Sequence, residues 1–131
     1  IKRFLSYAED GGFIAVNAFV ERNNKNEEKL QGFRKKLLEI TGLATTLGFG
    51  PRFLHSTGQL HKGGKNNGLF IVITSDCEKD FAIPEEGMSF GNLIQAQAIG
   101  DIRALEHQGR RVLHIHFHGE NFKQSDLMNL V

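Results

Sequence analysis

Four apolar runs separated by stretches of helical periodicity constrain the fold of this chain more than any other feature. Residues 12–20 and 69–75 are near-continuous runs of β-forming apolar residues, which is typical of strands buried on both faces. Weaker runs cover 43–47 and 112–118. Strands that alternate with helices require a parallel sheet with right-handed crossovers and helices on both faces. The order β-α-β-α-β-α-β-α therefore predicts an α/β fold, a three-layer α/β/α sandwich with a mainly parallel sheet.

Local signals predict where the first helix begins and ends. Asn24 is the expected N-cap, Glu27 completes a capping-box pattern, and Gly42 is expected to end the helix. Helical spacing predicts a buried apolar stripe, formed by Leu30, Phe33, Leu37 and Ile40.

A later helix is predicted to begin at Ser89 and to end at Gly109. Its expected apolar side consists of Phe90, Leu93, Ile94, Ala98, Ile102 and Leu105. A short helix is predicted within residues 122–131.

Length and composition fit one globular domain of 131 residues. A formal net charge of +1 argues against a dedicated nucleic-acid binder, which usually carries a basic stripe. The one cysteine, Cys77, cannot form an internal disulfide, which favours a reducing, cytoplasmic compartment. No apolar run approaches the roughly 18 to 20 residues that span a membrane, so no membrane partner is expected.

Residues 44–64 hold the densest set of chemically useful side chains. Pro51 follows a Gly-Phe-Gly turn and suits the first turn of a helix. We expect one helix from there, with His55 and Gln59 on one face and Arg52 nearby. The N–H groups at its start would favour an anion such as phosphate. The candidate binding residues of this segment are Gly48, Gly50, Arg52, Ser56, Thr57 and Gln59.

Two further sets of polar residues each have two interpretations. Gln95, Gln97 and Asp101 form either a solvated helix face or a pocket lining. The alternating histidines at 114, 116 and 118 share one face of a strand, which suggests either a metal site or a half-exposed strand. They span about 13 Å at about 3.3 Å per residue, so at best two could share one ion. No metal is therefore predicted.

Several motifs together resemble the phosphoglucose isomerases. They are A-T-T-L-G-F-G-P-R-F-L-H-S-T-G-Q-L-H-K-G-G at 44–64, L-F-I-V-I-T at 69–74, S-F-G-N-L-I-Q-A-Q-A-I-G-D-I-R-A-L at 89–105 and G-R-R-V-L at 109–113. The resemblance covers roughly residues 12–117 and is strongest to the C-terminal isomerase portion of bacterial transaldolase/glucose-6-phosphate isomerase fusion proteins. It implies the later part of a flavodoxin-like sugar-isomerase (SIS) type domain.

The resemblance also implies a reaction, namely interconversion of glucose 6-phosphate and fructose 6-phosphate without a metal or organic cofactor. In the family's H-x-x-x-Q segment, here His55 to Gln59, the histidine assists ring opening and is donated across a homodimer interface. Gln97 joins the residues of the 44–64 segment as an expected substrate contact. The proton-transferring glutamate would lie in upstream isomerase or transaldolase domains, so the isolated chain is expected to be inactive.

A departure from the family pattern supports a second hypothesis. The family's late lysine, in a Gly-Lys pair, corresponds here to Gly100-Asp101. The alternative is therefore a non-catalytic module for binding sugar phosphates or assembling subunits.

Overall fold

Four parallel strands form one sheet at the centre of the molecule. The computed structural model describes residues 1–77, 79–119 and 121–131. The strands are β1 (Phe13–Phe19), β2 (Ala44–Phe49), β3 (Gly68–Ser75) and β4 (Arg111–Phe117). They lie in the order β2-β1-β3-β4, and every neighbouring pair is parallel. This is the strand order of flavodoxin-like doubly wound sheets.

Helices cover both faces of the sheet and complete the three predicted layers. The helices are α1 (Lys2–Leu5), α2 (Asn24–Thr41), α3 (Thr57–Gly63), α4 (Phe90–His107) and α5 (Gln124–Met128), with a 3-10 helix at Arg52–His55 before α3. Leu5, Leu30 and Leu127 bring α1, α2 and α5 into the core on one face. The 3-10 helix and α4 pack on the other face. The predicted α/β sandwich is confirmed.

The two central strands hold the core together because both of their faces are buried. All eight residues of β3 are buried, as are six of the seven in β1. In β1, Val16 points into the cluster under α2 and α5, while Ala15 and Phe19 point to the opposite face. An alternation of polar and apolar residues is absent from these runs because neither face meets water.

The N-cap of α2 is Asn23, so the prediction of Asn24 was wrong by one residue. The Asn23 side chain accepts a hydrogen bond of 2.8 Å from the backbone N–H of Asn26. Glu27 does not complete a capping box and instead pairs with Arg22 at 3.5 Å. The end of α2 agrees with the prediction, since Gly42 adopts a left-handed conformation with φ of 68°.

The apolar stripe of α2 is shorter than predicted. Leu30, Phe33 and Leu37 are fully buried, but Ile40 is 49% exposed. Leu43 packs against the same core from beyond the Gly42 cap, because the left-handed turn brings the chain back toward the sheet. Ile40 is thereby left in solvent.

The apolar side predicted for α4 is correct only in the second half of the helix. Ser89 caps α4 as predicted, by accepting from the N–H of Asn92 at 3.1 Å. Ala98 and Leu105 are buried and Ile102 packs beside them. Three of the predicted apolar residues, Phe90, Leu93 and Ile94, are exposed in the first turns. These turns extend past the carboxyl ends of the strands, where Ile94 borders a cavity instead of the sheet.

Within the described residues, no helix is both long and apolar enough to cross a membrane.

The cap assignment predicts different effects of two neighbouring substitutions. Asn23→Ala removes the acceptor for a free N–H at the start of α2 and should lower the free energy of unfolding by about 1 kcal/mol. The matched control Asn24→Ala changes a residue that makes no cap bond and should stay within about 0.5 kcal/mol of the original protein. Urea denaturation measures both values. Equal losses, or a larger loss for Asn24→Ala, would show that the cap is misassigned.

Candidate functional site

A cavity of about 310 Å³ lies at the carboxyl ends of the strands. Parallel α/β sheets bind their ligands at this edge, where the strand order reverses. Phe19, Phe49 and Ser75 end β1, β2 and β3 there, and the first turns of α4 close the far side. The full lining is Phe19, Val20, Glu21, Arg22, Phe49, Gly50, Arg52, Ser75, Asp76, Cys77, Gly91, Ile94 and Gln95.

The walls of the cavity combine aromatic rings with a polar border. The guanidinium of Arg22 lies 5.4 Å from the centre of the Phe49 ring, a cation–π arrangement that holds the charge at the cavity. Gln95 donates to the carbonyl of Ser75 at 2.9 Å and ties α4 to the end of β3. Gly50 lies directly against the Phe19 ring, so a Cβ at this position would collide with the ring.

A second hollow of about 300 Å³ adjoins the first on the side of α2. The two hollows share Arg22, Phe49 and Arg52. The second is lined further by Glu27, Gln31, Leu47, Gly48, Phe53, Ser56 and Thr57. Two guanidinium groups therefore border a continuous region that also offers hydroxyl groups.

The single helix predicted from Pro51 is wrong. Arg52–His55 is a 3-10 helix, Ser56 breaks it with φ of −131° and ψ of −102°, and α3 begins at Thr57. Gly58 packs against Phe53 so closely that a Cβ on Gly58 would lie 2.9 Å from the Phe53 carbonyl oxygen. Burial of Phe53 against the sheet thus tightens the turn and interrupts the helix.

This break changes the expected roles of the H-x-x-x-Q residues. His55 and Gln59 lie in different elements and do not share a helix face. Gln59 donates to the carbonyl of Leu54 at 2.9 Å, a bond that stabilises the junction between the two helices. The expected phosphate site at the start of one long helix also loses its basis, because neither helix is long enough for a strong dipole.

The predicted site residues separate into three groups, namely those of the main cavity, those of the second hollow and those that line neither. Gly50 and Arg52 line the main cavity. Gly48, Ser56 and Thr57 line the second hollow, together with Arg52. The residues that line neither hollow are His55, Gln59 and Gln97. His55 is exposed at the surface.

His61 belongs to the core and not to a binding site. It is 6% exposed, and its ring centre lies 5.1 Å from that of Phe70 and 6.1 Å from those of Phe13 and Phe53. Its Nδ1 has no hydrogen-bond partner among the described residues. The pKa of His61 lies below its ordinary value, and burial is the main cause. Lys62 lowers the pKa further, while nearby Asp101 acts in the opposite direction.

The polar strip of α4 also divides between roles. Gln95 borders the cavity, whereas Asp101 is buried and forms an ion pair of 2.5 Å with Lys62. Arg110 donates to the carbonyls of Lys62 and Gly64 at 2.6 Å each, which fixes the end of α3. Asp101 is therefore structural and does not line the cavity.

The strand histidines lie beside Asp76, a carboxylate about 40 positions away from them in the sequence. Nε2 of His116 lies 3.0 Å from Oδ1 of Asp76, and Nδ1 of His118 lies 3.7 Å from Oδ2. The hydroxyl of Thr74 contacts His114 Nε2 at 2.9 Å and His116 Nδ1 at 2.8 Å. A hydrogen bond from the Gly119 N–H, reinforced by His116, lowers the pKa of Asp76. Because Asp76 also lines the cavity, this cluster lies at the cavity rim.

Comparison with known proteins supports the fold and assigns no function. No protein-family model matches the chain, and no curated protein matches it. The chain is similar to the crystal structure of a hypothetical protein from Thermus thermophilus, with a TM-score of 0.74 and 18% sequence identity. The match covers 87% of this chain and 32% of the Thermus chain, so this chain spans about a third of that protein.

The burial of His61 predicts a dependence of stability on pH. The folded chain favours neutral His61, so the unfolded chain binds more protons near the ordinary histidine pKa of about 6.5. The free energy of unfolding should therefore fall as the pH is lowered from about 7 to about 5. His61→Leu should reduce this slope in urea denaturations across that range. Some slope remains, because partial burial and neighbouring His116 also lower the pKa of His114.

The matched control for this experiment is His107→Leu, which changes an exposed histidine at the end of α4. It leaves the surroundings of His61 unchanged, so the part of the slope that His61→Leu removes should persist in this variant. An unchanged slope in His61→Leu would contradict the assignment of His61 as a neutral core residue.

Proposed function

We propose that this chain is the later part of a glucose-6-phosphate isomerase and contributes to a composite active site. The observation that carries the proposal is that the segment resembling these isomerases lines the cavity. The segment 44–64, a long and specific part of the resemblance to the phosphoglucose isomerases, supplies Phe49, Gly50 and Arg52 to a cavity at the ligand-binding edge of the sheet.

The charges at this edge suit a sugar phosphate. Arg22 and Arg52 border both hollows, and guanidinium groups bind phosphate oxygens through paired, charge-assisted hydrogen bonds. Ser56 and Thr57 offer hydroxyl groups within the second hollow. The volume of about 310 Å³ lies within the range of about 300 to 1,000 Å³ that is usual for sites of small ligands.

The proposed reaction requires a proton donor and acceptor for ring opening and a base for transfer between C1 and C2. Histidine suits the first task because its ordinary pKa of about 6.5 lets it give and take a proton near neutral pH. His55 is exposed and lines neither hollow of its own chain. That position supports donation of His55 to the site of a second subunit. The base would be a glutamate from upstream isomerase sequence.

Loss of His55 tests the catalytic proposal. In the longer polypeptide that the proposal requires, His55→Ala should lower kcat for fructose 6-phosphate by about 10²- to 10⁴-fold, the usual contribution of a general acid or base. A coupled assay of glucose 6-phosphate formation measures this rate. His107→Ala, at another exposed histidine, should keep the original rate.

Three results of the assay lead to different conclusions. Full turnover after His55→Ala would contradict the proposed role of His55. Turnover in the isolated chain would place the base among its own carboxylates, of which Glu21 and Asp76 line the cavity. Binding of the sugar phosphate without turnover in either polypeptide would favour the alternative, a non-catalytic binding module.

Substrate affinity tests the role of the cavity separately from catalysis. Arg52→Ala should weaken binding of fructose 6-phosphate roughly 10- to 100-fold, because hydrogen bonds between charged groups are lost. Isothermal titration calorimetry measures this affinity. Arg103→Ala removes an exposed arginine from α4 and should bind as the original protein does. Equal affinities of the two variants would exclude Arg52 from the phosphate site.

A further inference from the structure

We propose that Asp76, His116 and His118 form a binding site for a divalent transition-metal ion of the zinc class at the rim of the cavity. The evidence for this site does not rest on the proposed isomerase reaction, which needs no metal. Only two of its ligands are strand histidines, and the third, Asp76, comes from the end of the neighbouring strand β3.

The three side chains already lie at distances suitable for one ion. Zinc binds histidine nitrogen and carboxylate oxygen at about 2.0 to 2.2 Å, so ligand atoms of a tetrahedral centre lie about 3.3 Å apart. The Asp76 oxygens lie 3.0 Å from the His116 nitrogen and 3.7 Å from the His118 nitrogen. One ligand atom from each residue falls within 4.8 Å of the other two. Small side-chain rotations would complete the site.

Thr74 fixes the orientation of His116 in the manner that metal sites require. Histidine ligands usually hydrogen-bond through the ring nitrogen that does not touch the metal. Nδ1 of His116 lies 2.8 Å from the Thr74 hydroxyl, so Nε2 points to Asp76. The hydroxyl can accept from His116 while it donates to Nε2 of His114, 2.9 Å away. This chain of hydrogen bonds leaves the His116 Nε2 lone pair available.

The pairing of β3 with β4 and one backbone hydrogen bond hold His116 and Asp76 in place. Thr74 pairs with His116 across β3 and β4, and Asp76 follows β3 directly. Oδ2 of Asp76 accepts from the Gly119 N–H at 2.8 Å. The side chain of His118 is 91% exposed and that of Asp76 is 49% exposed, so an ion can enter from solvent. Two ligands are thus positioned in advance and the third can close on the ion.

Three protein ligands leave at least one coordination position open, as in catalytic zinc sites. Because Asp76 lines the cavity, an ion here would stand beside any ligand bound there. The open position therefore suits an oxygen donor, such as a hydroxyl or phosphate oxygen of that ligand.

Titration of the untagged, chelator-treated chain with Co²⁺ and Zn²⁺ tests the site. One equivalent of Co²⁺ should produce the visible absorption of a four- or five-coordinate centre, and Zn²⁺ should displace it. His116→Ala, His118→Ala and Asp76→Asn should each weaken Zn²⁺ binding by about 100-fold or more in calorimetry. Thr74→Val keeps the side-chain shape but removes the hydroxyl that orients His116. It should weaken Zn²⁺ binding about 10- to 100-fold.

The control His107→Ala removes a histidine outside the cluster and should leave Zn²⁺ affinity unchanged. Circular dichroism confirms that each variant is folded. No stoichiometric binding, or an equal loss in His107→Ala, would overturn the proposal. These measurements use no sugar phosphate, so they are independent of the outcome of the isomerase assay.

Discussion

Burial of β1 and β3 on both faces is the constraint on which the rest of the structure depends. Both strands lie inside the sheet, and each is paired on both sides. A strand buried in this way needs helices above and below, and the connecting helices force all strands to run parallel. The carboxyl ends then meet at one edge. The polar residues that follow the strands, including Arg22, Arg52 and Asp76, are gathered there because of this topology.

The same constraint explains which parts of the fold could be predicted from the sequence. The runs at 12–20 and 69–75 required central strands, and all of β3 and all of β1 except Phe13 are buried as expected. Helix ends depend on single side-chain contacts, which spacing alone does not distinguish: Asn23 and Asn24 are equally good caps by type. The break at Ser56 follows from burial of Phe53 and is invisible to a rule based on helical periodicity.

The environments of the histidines in the candidate site could not be predicted from the sequence pattern. His55 and His61 look alike in the sequence, yet one is exposed and the other lies among three phenylalanine rings. The cluster of Asp76 with His116 and His118 joins residues about 40 positions apart. Their proximity follows from the pairing of β3 with β4. It could be predicted only once these two strands are known to be neighbours.

Asp76 belongs to both the cavity and the histidine cluster, so a metal ion in the cluster would interact electrostatically with a ligand in the cavity. Without an ion, the carboxylates of Glu21 and Asp76 oppose the attraction that Arg22 and Arg52 exert on a phosphate. A bound divalent cation would be the largest local charge and would make the electrostatic potential at this part of the rim positive. Metal occupancy would then favour an anionic ligand in the cavity. Such a coupling is reciprocal, because any effect of the ion on anion affinity equals the effect of the anion on ion affinity.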